Sequence, residues 1–235
     1  MKILSIDSST KAASVAVIDG NKISAEYFLN TGFTHSETLM PMIESALKHS
    51  ASKLSELDLI AVTVGPGSFT GVRIGVASAK GLSFTSNIPV VGVSALEALA
   101  YNLKGMQGEF IVSAVIDARC SQVYNALFKF TADSIERITG DRVIKISDLE
   151  TELVNYNLPI YLVGDGTSPC LKEADFSKTL SVPFSLSEIK ASSAGFAAID
   201  IYNKKGASDS ASIQPIYLQL PQATRELKKK SENKV

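Results

Sequence analysis

Runs of apolar residues four to seven long recur along the chain, parted by polar turns, and this spacing predicts short buried strands. The first three fall at 3–6, 14–18 and 23–29. Asp19-Gly20-Asn21 carries hairpin-turn chemistry, so they read as an antiparallel meander. Thr34 and Glu37 have the spacing of a capping box, and Leu39, Met42, Ile43, Ala46 and Leu47 follow at helical spacing. Pro41 predicts a kink in that helix, and Met40, off the main stripe, makes it apolar on more than one face. A strand at 59–64 leads into the glycine-rich loop 65–71 and a helix ending near residue 85. Five of the 15 glycines lie between 65 and 81, so this stretch is built for close backbone approach. A strand at 89–93 precedes a helix that Ser94 caps, with Glu97 at the capping-box position. Gly105 and Gly108 mark a boundary.

The second half restarts the pattern. Residues 111–116 are an apolar run, then come Asp117, four turn residues and a strand at 123–130. Residues 3–18 read the same way around Asp7. The repeat favours two related lobes, although strand–Asp–turn–strand also arises by coincidence in α/β chains. Residues 159–163 form a further strand ending in Gly164-Asp165-Gly166-Thr167. Ser192 opens a helix reaching about residue 203, stopped by Lys204-Lys205-Gly206 with cations at the negative end of its dipole. Residues 213–220 read as extended, interrupted by Pro215, and 225–235 as a polar, Lys-rich tail. The organisation expected is an N-terminal lobe at 1–106, a C-terminal lobe at 107–220 whose helix 192–204 packs back on the first lobe, and a tail at 221–235.

Composition narrows this picture. The 235 residues suit one large domain or two small ones. Hydrophobic residues make up 45% and charged residues 20%, which rules out disorder for most of the length. Lys and Arg number 23 against 24 Asp and Glu, so the net charge of -1 lacks the basic excess of a chain that grips nucleic acid alone. The start, MKILSIDSST, lacks the apolar core of a secretory signal, and no run reaches the length of a membrane span. Cys120 and Cys170 stand far apart and read as two thiols in a reducing cytoplasm.

Chemistry is sparse. The two histidines, His35 and His49, are too far apart along one helix to share an ion, and His35 reads as a cap-region or surface contact. The segment Gly65-Pro66-Gly67-Ser68-Phe69 is not the G-x-S-x-G elbow of a serine hydrolase. Phosphate binding fits better. Asp7 ends a buried strand and is followed by Ser8, Ser9 and Thr10, a turn able to offer N–H and hydroxyl groups while Asp7 holds hydrated Mg²⁺. Asp117 ends the matching strand, and Gly164 and Gly166 would let backbone approach a nucleotide. The loop at 65–71 lacks the lysine of a P-loop. The helix after Gly71 carries little polar surface besides Arg73 and Lys80. It is either buried in its own domain or forms an exposed apolar patch with the 34–50 helix.

Three stretches together resemble one family: residues 3–10 (ILSIDSST), 35–41 (HSETLMP) and above all 64–75 (VGPGSFTGVRIG). They are similar to the TsaB (YeaZ) family of bacterial tRNA threonylcarbamoyladenosine biosynthesis proteins, across nearly the whole chain. Gln219 departs from an arginine expected in many relatives. The resemblance implies an α/β, actin-like ATPase (ribonuclease H-like) fold, with two lobes each carrying a mixed sheet flanked by helices. It implies a non-catalytic subunit with no catalytic residue, no metal and no required cofactor, though with room for residual ATP or ADP binding at Asp7, Ser8, Ser9, Asp117, Gly164 and Gly166. In the catalytic relative TsaD, two histidines follow a V-G-V strand. Here Val91-Gly92-Val93 is followed by Ala95 and Leu99, which ligate nothing. The implied partners are TsaD, then TsaE, with tRNA held through the complex, and a homodimer when alone. The contact runs through the helices 34–50 and 71–86, on His35, Leu39, Met42, Ile43, Val72, Arg73, Val76 and Lys80. The expected location is the cytoplasm, without membrane attachment. The runner-up is an ATP-dependent phosphotransferase or ATPase using Asp7 and Asp117. A peptidase reading has no catalytic constellation behind it.

Overall fold

The computed structural model describes residues 1–207 and 212–219. The tail expected at 221–235 lies outside them. β1 (Lys2–Asp7), β2 (Ala13–Asp19) and β3 (Lys22–Leu29) form the antiparallel meander, with Asp7 opposite Ser14 and Ala13 opposite Leu29. β4 (Leu59–Thr63) and β5 (Val90–Val93) add in parallel on the other side of β1, giving the order β3-β2-β1-β4-β5. The second half repeats this. β6 (Phe110–Arg119) and β7 (Gln122–Phe130) form an antiparallel hairpin. β10 (Ile160–Val163) and β11 (Thr179–Ser181) lie parallel beyond β6, and β8 (Ile135–Arg137) and β9 (Arg142–Lys145) pair with β7. The two orders correspond strand for strand, so the repeat seen in the sequence is a repeat of topology. The fold is the expected α/β arrangement of two mixed sheets flanked by helices.

Side-chain alternation explains the layers. Neighbouring residues of a strand face opposite sides, and both sides here are covered, so the strands read as continuous apolar runs. Leu4, Ile6, Ile60 and Val62 face α1 (His35–His49) and α2 (Phe69–Ser86). Ile3, Leu59 and Ala61 face the opposite way, onto α3 (Ala95–Tyr101) and α6 (Ala191–Lys205). Phe110, Val112, Ala114 and Ile116 meet the same two helices from the second sheet. Ile111 and Val115 face α4 (Ile146–Leu153) and α5 (Thr167–Glu173) on the far side. The central core therefore belongs to both sheets, and α6 packs on β1 and β2.

Local chemistry sets the helix ends. Glu37 Oε2 accepts from the Thr34 N–H at 3.3 Å and from its hydroxyl at 2.5 Å. α1 runs continuously through Pro41, which lies on its exposed side. Ser94 Oγ accepts from the Glu97 N–H, while the Glu97 carboxylate turns to Arg137 at 2.8 Å instead of reaching back. α6 starts at Ala191, one residue before the expected Ser192, and other strands satisfy its first N–H groups. Ser14 Oγ on β2 accepts from Ala191 at 2.9 Å, and Glu26 on β3 accepts from Ser192 at 2.8 Å. Gly206, at φ 75, ends α6 as expected. Among the described residues, no helix is long and apolar enough to cross a membrane.

Candidate functional site

The carboxyl ends of β1 and β6 point into a cleft of about 770 Å³ between the two halves. Its floor on the first side is the turn after β1, together with the glycine-rich loop. Asp7 is fully buried beneath it. Its Oδ1 accepts from the Ser9 N–H (3.1 Å), the Ser9 hydroxyl (2.6 Å) and the Thr63 hydroxyl (2.6 Å), while Oδ2 has no partner among the described residues. Burial pushes the Asp7 carboxyl above its ordinary value, against these hydrogen bonds and the nearby His35. Ser8 donates to the Gly71 carbonyl at 2.9 Å, and the Ser9 N–H and hydroxyl are both spent on Asp7. The groups that the sequence offers to a phosphate are thus largely turned to the protein. Thr63 escaped the sequence reading. Its signal is a hydroxyl ending an apolar strand that pairs in parallel with β1.

The second side holds Asp117, Arg119 and Asp165, facing Lys11 and Thr10 across the cleft. Asp165 Oδ1 accepts from the Asp117 N–H at 3.0 Å. Burial raises its pKa, the Asp117 N–H bond opposes, the Asp117 charge adds to the rise and Lys11 opposes it. Glu188, also raised by burial and by Asp165 and Asp7, belongs to the same electrostatic group. The role offered to Gly164 and Gly166 needs correction. A Cβ on Gly164, at φ +122, would overlap the Val115 carbonyl, and one on Gly166 would lie 2.9 Å from the Val115 carbonyl carbon. Their missing side chains let the loop lie on β6 and are not spent on an open approach to a nucleotide.

The partner face also needs correction. Leu39, Met42, Ile43, Val72 and Val76 are all buried, packing α1 and α2 onto their own sheet. They cannot touch a partner without unfolding that layer. His35 is half-buried and its Nε2 lies 2.9 Å from the Thr10 carbonyl, tying α1 to the turn above Asp7. What α2 presents outward is a stripe through Thr70, Arg73, Ala77, Gly81 and Phe84, the last 85% exposed, with half-buried Lys80 alongside. Met40 is the exposed apolar residue of α1, in keeping with its place off the stripe.

Residues 212–219 run along the cleft mouth. Ile213 is buried against the first sheet, the Ile216 N–H donates to the Val64 carbonyl (2.7 Å), and Gln219 Nε2 donates to Gln122 Oε1 on β7 (3.1 Å). Tyr217 packs its ring on Phe69 with 4.6 Å between centroids and accepts from Arg73 Nε at 2.7 Å. Ala95 and Leu99 are buried apolar residues of the central core, and the described residues hold no group of three or more His, Cys, Asp or Glu side chains able to bind a metal.

The family model described as TsaD, tRNA N6-adenosine threonylcarbamoyltransferase, matches residues 31–228. The tRNA threonylcarbamoyladenosine biosynthesis protein TsaB of Bacillus subtilis is 35% identical over 168 residues, 72% of each chain. Its counterpart in Escherichia coli is 38% identical over 129 residues, which is 55% of each chain, so that match spans about half the relative's length. The solved structure of YeaZ from Pseudomonas aeruginosa superposes with a TM-score of 0.80 at 27% identity, covering 92% of this chain and 99% of that one.

Proposed function

The chain belongs to the TsaB (YeaZ) family, and from that premise we propose that it is a non-catalytic subunit required for threonylcarbamoyl transfer to an adenosine of tRNA. It binds and activates a TsaD transferase through the outward face of α1 and α2, and the pair recruits TsaE. It works where tRNA is modified, in the cytoplasm, and self-associates through the same face when alone.

The observation that carries this reading is the stripe on α2. A helix whose inner side is fully used against its sheet also shows small and apolar residues outward, ending in Phe84. Small residues let a second helix approach closely, and a large exposed aromatic gives it something to bury. The near-neutral charge fits tRNA being held by the assembly and not by this chain alone.

Reconstitution tests it. Purified TsaD and TsaE with threonylcarbamoyl-adenylate and tRNA are expected to form modified adenosine only when this chain is added. Phe84→Glu is expected to keep its melting temperature and lose the stimulation. Equal product without the chain sinks the proposal.

The cleft favours a second reading, an ATP-dependent phosphotransferase, because it places Ser9, Lys11 and Asp117 around one space of nucleotide size. Calorimetry with Mg-ATP on the isolated chain separates the two: turnover that Asp7→Ala abolishes supports the enzyme.

A further inference from the structure

Arg73 belongs to two places at once. It lies exposed on the outward stripe of α2, and it holds the segment that borders the cleft. Its guanidinium sits 3.8 Å from the Phe69 ring centroid, and its Nε donates to the Tyr217 hydroxyl at 2.7 Å. Tyr217 is the last of the described residues that anchor this segment to the first half. Inward of it, Ile216 donates to Val64, and its own carbonyl lies against Gly65, where a Cβ would come within 2.7 Å. Beyond it, Gln219 reaches across to Gln122 in the second sheet, and its Oε1 is buried without a partner among the described residues. The segment therefore crosses from one half to the other, and one of its holds on the first half, beside buried Ile213 and the Ile216–Val64 bond, passes through a side chain that faces outward.

Charge indicates what can reach that side chain. The 18 residues of α2 include Arg73 and Lys80 and no aspartate or glutamate. A partner surface that fits this helix brings acidic groups. A carboxylate meeting a guanidinium side-on takes Nε together with one terminal nitrogen, and such a bidentate pair, charged on both sides, is stronger than the single bond to an uncharged tyrosine hydroxyl that it displaces.

We propose that residues 212–219 form a strap clasped by Arg73 and Tyr217, and that an acidic side chain of the partner captures Arg73, releases Tyr217 and opens the cleft. The proposal rests on the partner reading above and adds the chemistry of the contact and its consequence. Linkage makes the effect reciprocal: a change that loosens the strap and leaves Arg73 free for the partner must favour the partner by the same factor.

The test is amide hydrogen exchange at Ile216, whose N–H is bonded only while the strap is down, read in the free full-length chain, in its complex with TsaD and in Tyr217→Phe. Complex formation is expected to speed exchange at Ile216, and Tyr217→Phe alone to speed it about tenfold, the loss of one hydrogen bond to a charged group at the low end of its range, since the pair is exposed. The same variant is expected to bind TsaD more tightly by a similar factor, an outcome that simple structural damage would not produce. Arg73→Gln is expected to speed exchange as Tyr217→Phe does, yet to weaken binding. If the complex forms but Ile216 exchange and the Tyr217→Phe affinity stay unchanged, the strap coupling is overturned. If no complex forms, the partner reading itself fails.

Discussion

Asp7 shows how much one side chain can be read and misread. Its place at the end of an apolar strand, before three hydroxyl residues, marks it as special from the sequence. Its use depends on Thr63, fifty-six positions away, which the parallel pairing of β1 with β4 brings to 2.6 Å. Because burial raises its pKa above 3.8, the folded state holds a proton more firmly than the unfolded chain does. The stability that protonated Asp7 contributes is present below 3.8 and is lost as pH climbs through the raised folded value. Asp7→Asn cannot titrate and keeps the accepting oxygen. It is expected to flatten this dependence and to be at least as stable as the parent at neutral pH, measured by urea unfolding between about pH 4 and 8. Marked destabilisation at neutral pH would show instead that the ionised carboxylate is needed. The interface residues teach the converse. Val72 and Val76 stand beside Arg73 in the sequence, but helical geometry turns them inward, so a charge placed there tests folding and not binding.

Elements whose pattern is long were legible: the meander, both strand–Asp–turn–strand units and the helices at α1, α2 and α6. β8, β9 and β11 are three or four residues long and, unlike the equally short β5 and β10, place charged or hydroxyl residues among their few apolar ones, so no apolar run shows. Helix starts divide by the origin of their partners. The Thr34–Glu37 pair is local and was visible in the spacing. The cap of α6 is tertiary, supplied by Ser14 and Glu26 from strands more than 160 positions away. Glu26 sits at the positive end of that helix, where a carboxylate stabilises by about 0.3–1 kcal/mol beyond its hydrogen bond. Glu26→Ala is therefore expected to cost about 1–2 kcal/mol in denaturant unfolding. A cost near zero would mean that solvent serves these N–H groups equally well.

At the scale of the molecule, the boundary near Gly105 separates two repeats of topology but not two cores. Phe110, Val112 and Phe128 pack in the same cluster as Ile3 and Leu59, with α3 and α6 between them. Unfolding is expected to be a single transition, with circular dichroism and tyrosine fluorescence coinciding, and residues 1–106 expressed alone are expected to aggregate, having lost α6 and half of the central layer. Two separated transitions would show that the lobes are energetically independent. The chain's own pattern was enough for the first meander, the hairpin of the second half and the family with the fold class that it implies, and it suggested the repeat, because these rest on spacings of a few residues and on contiguous motifs. Folding in three dimensions settled which face of α2 looks outward, which oxygen of Asp7 is satisfied, where the glycines spend their freedom and how residues 212–219 join α2 to the cleft. Each of these depends on groups distant in sequence meeting at hydrogen-bond range, and no local periodicity encodes such a meeting.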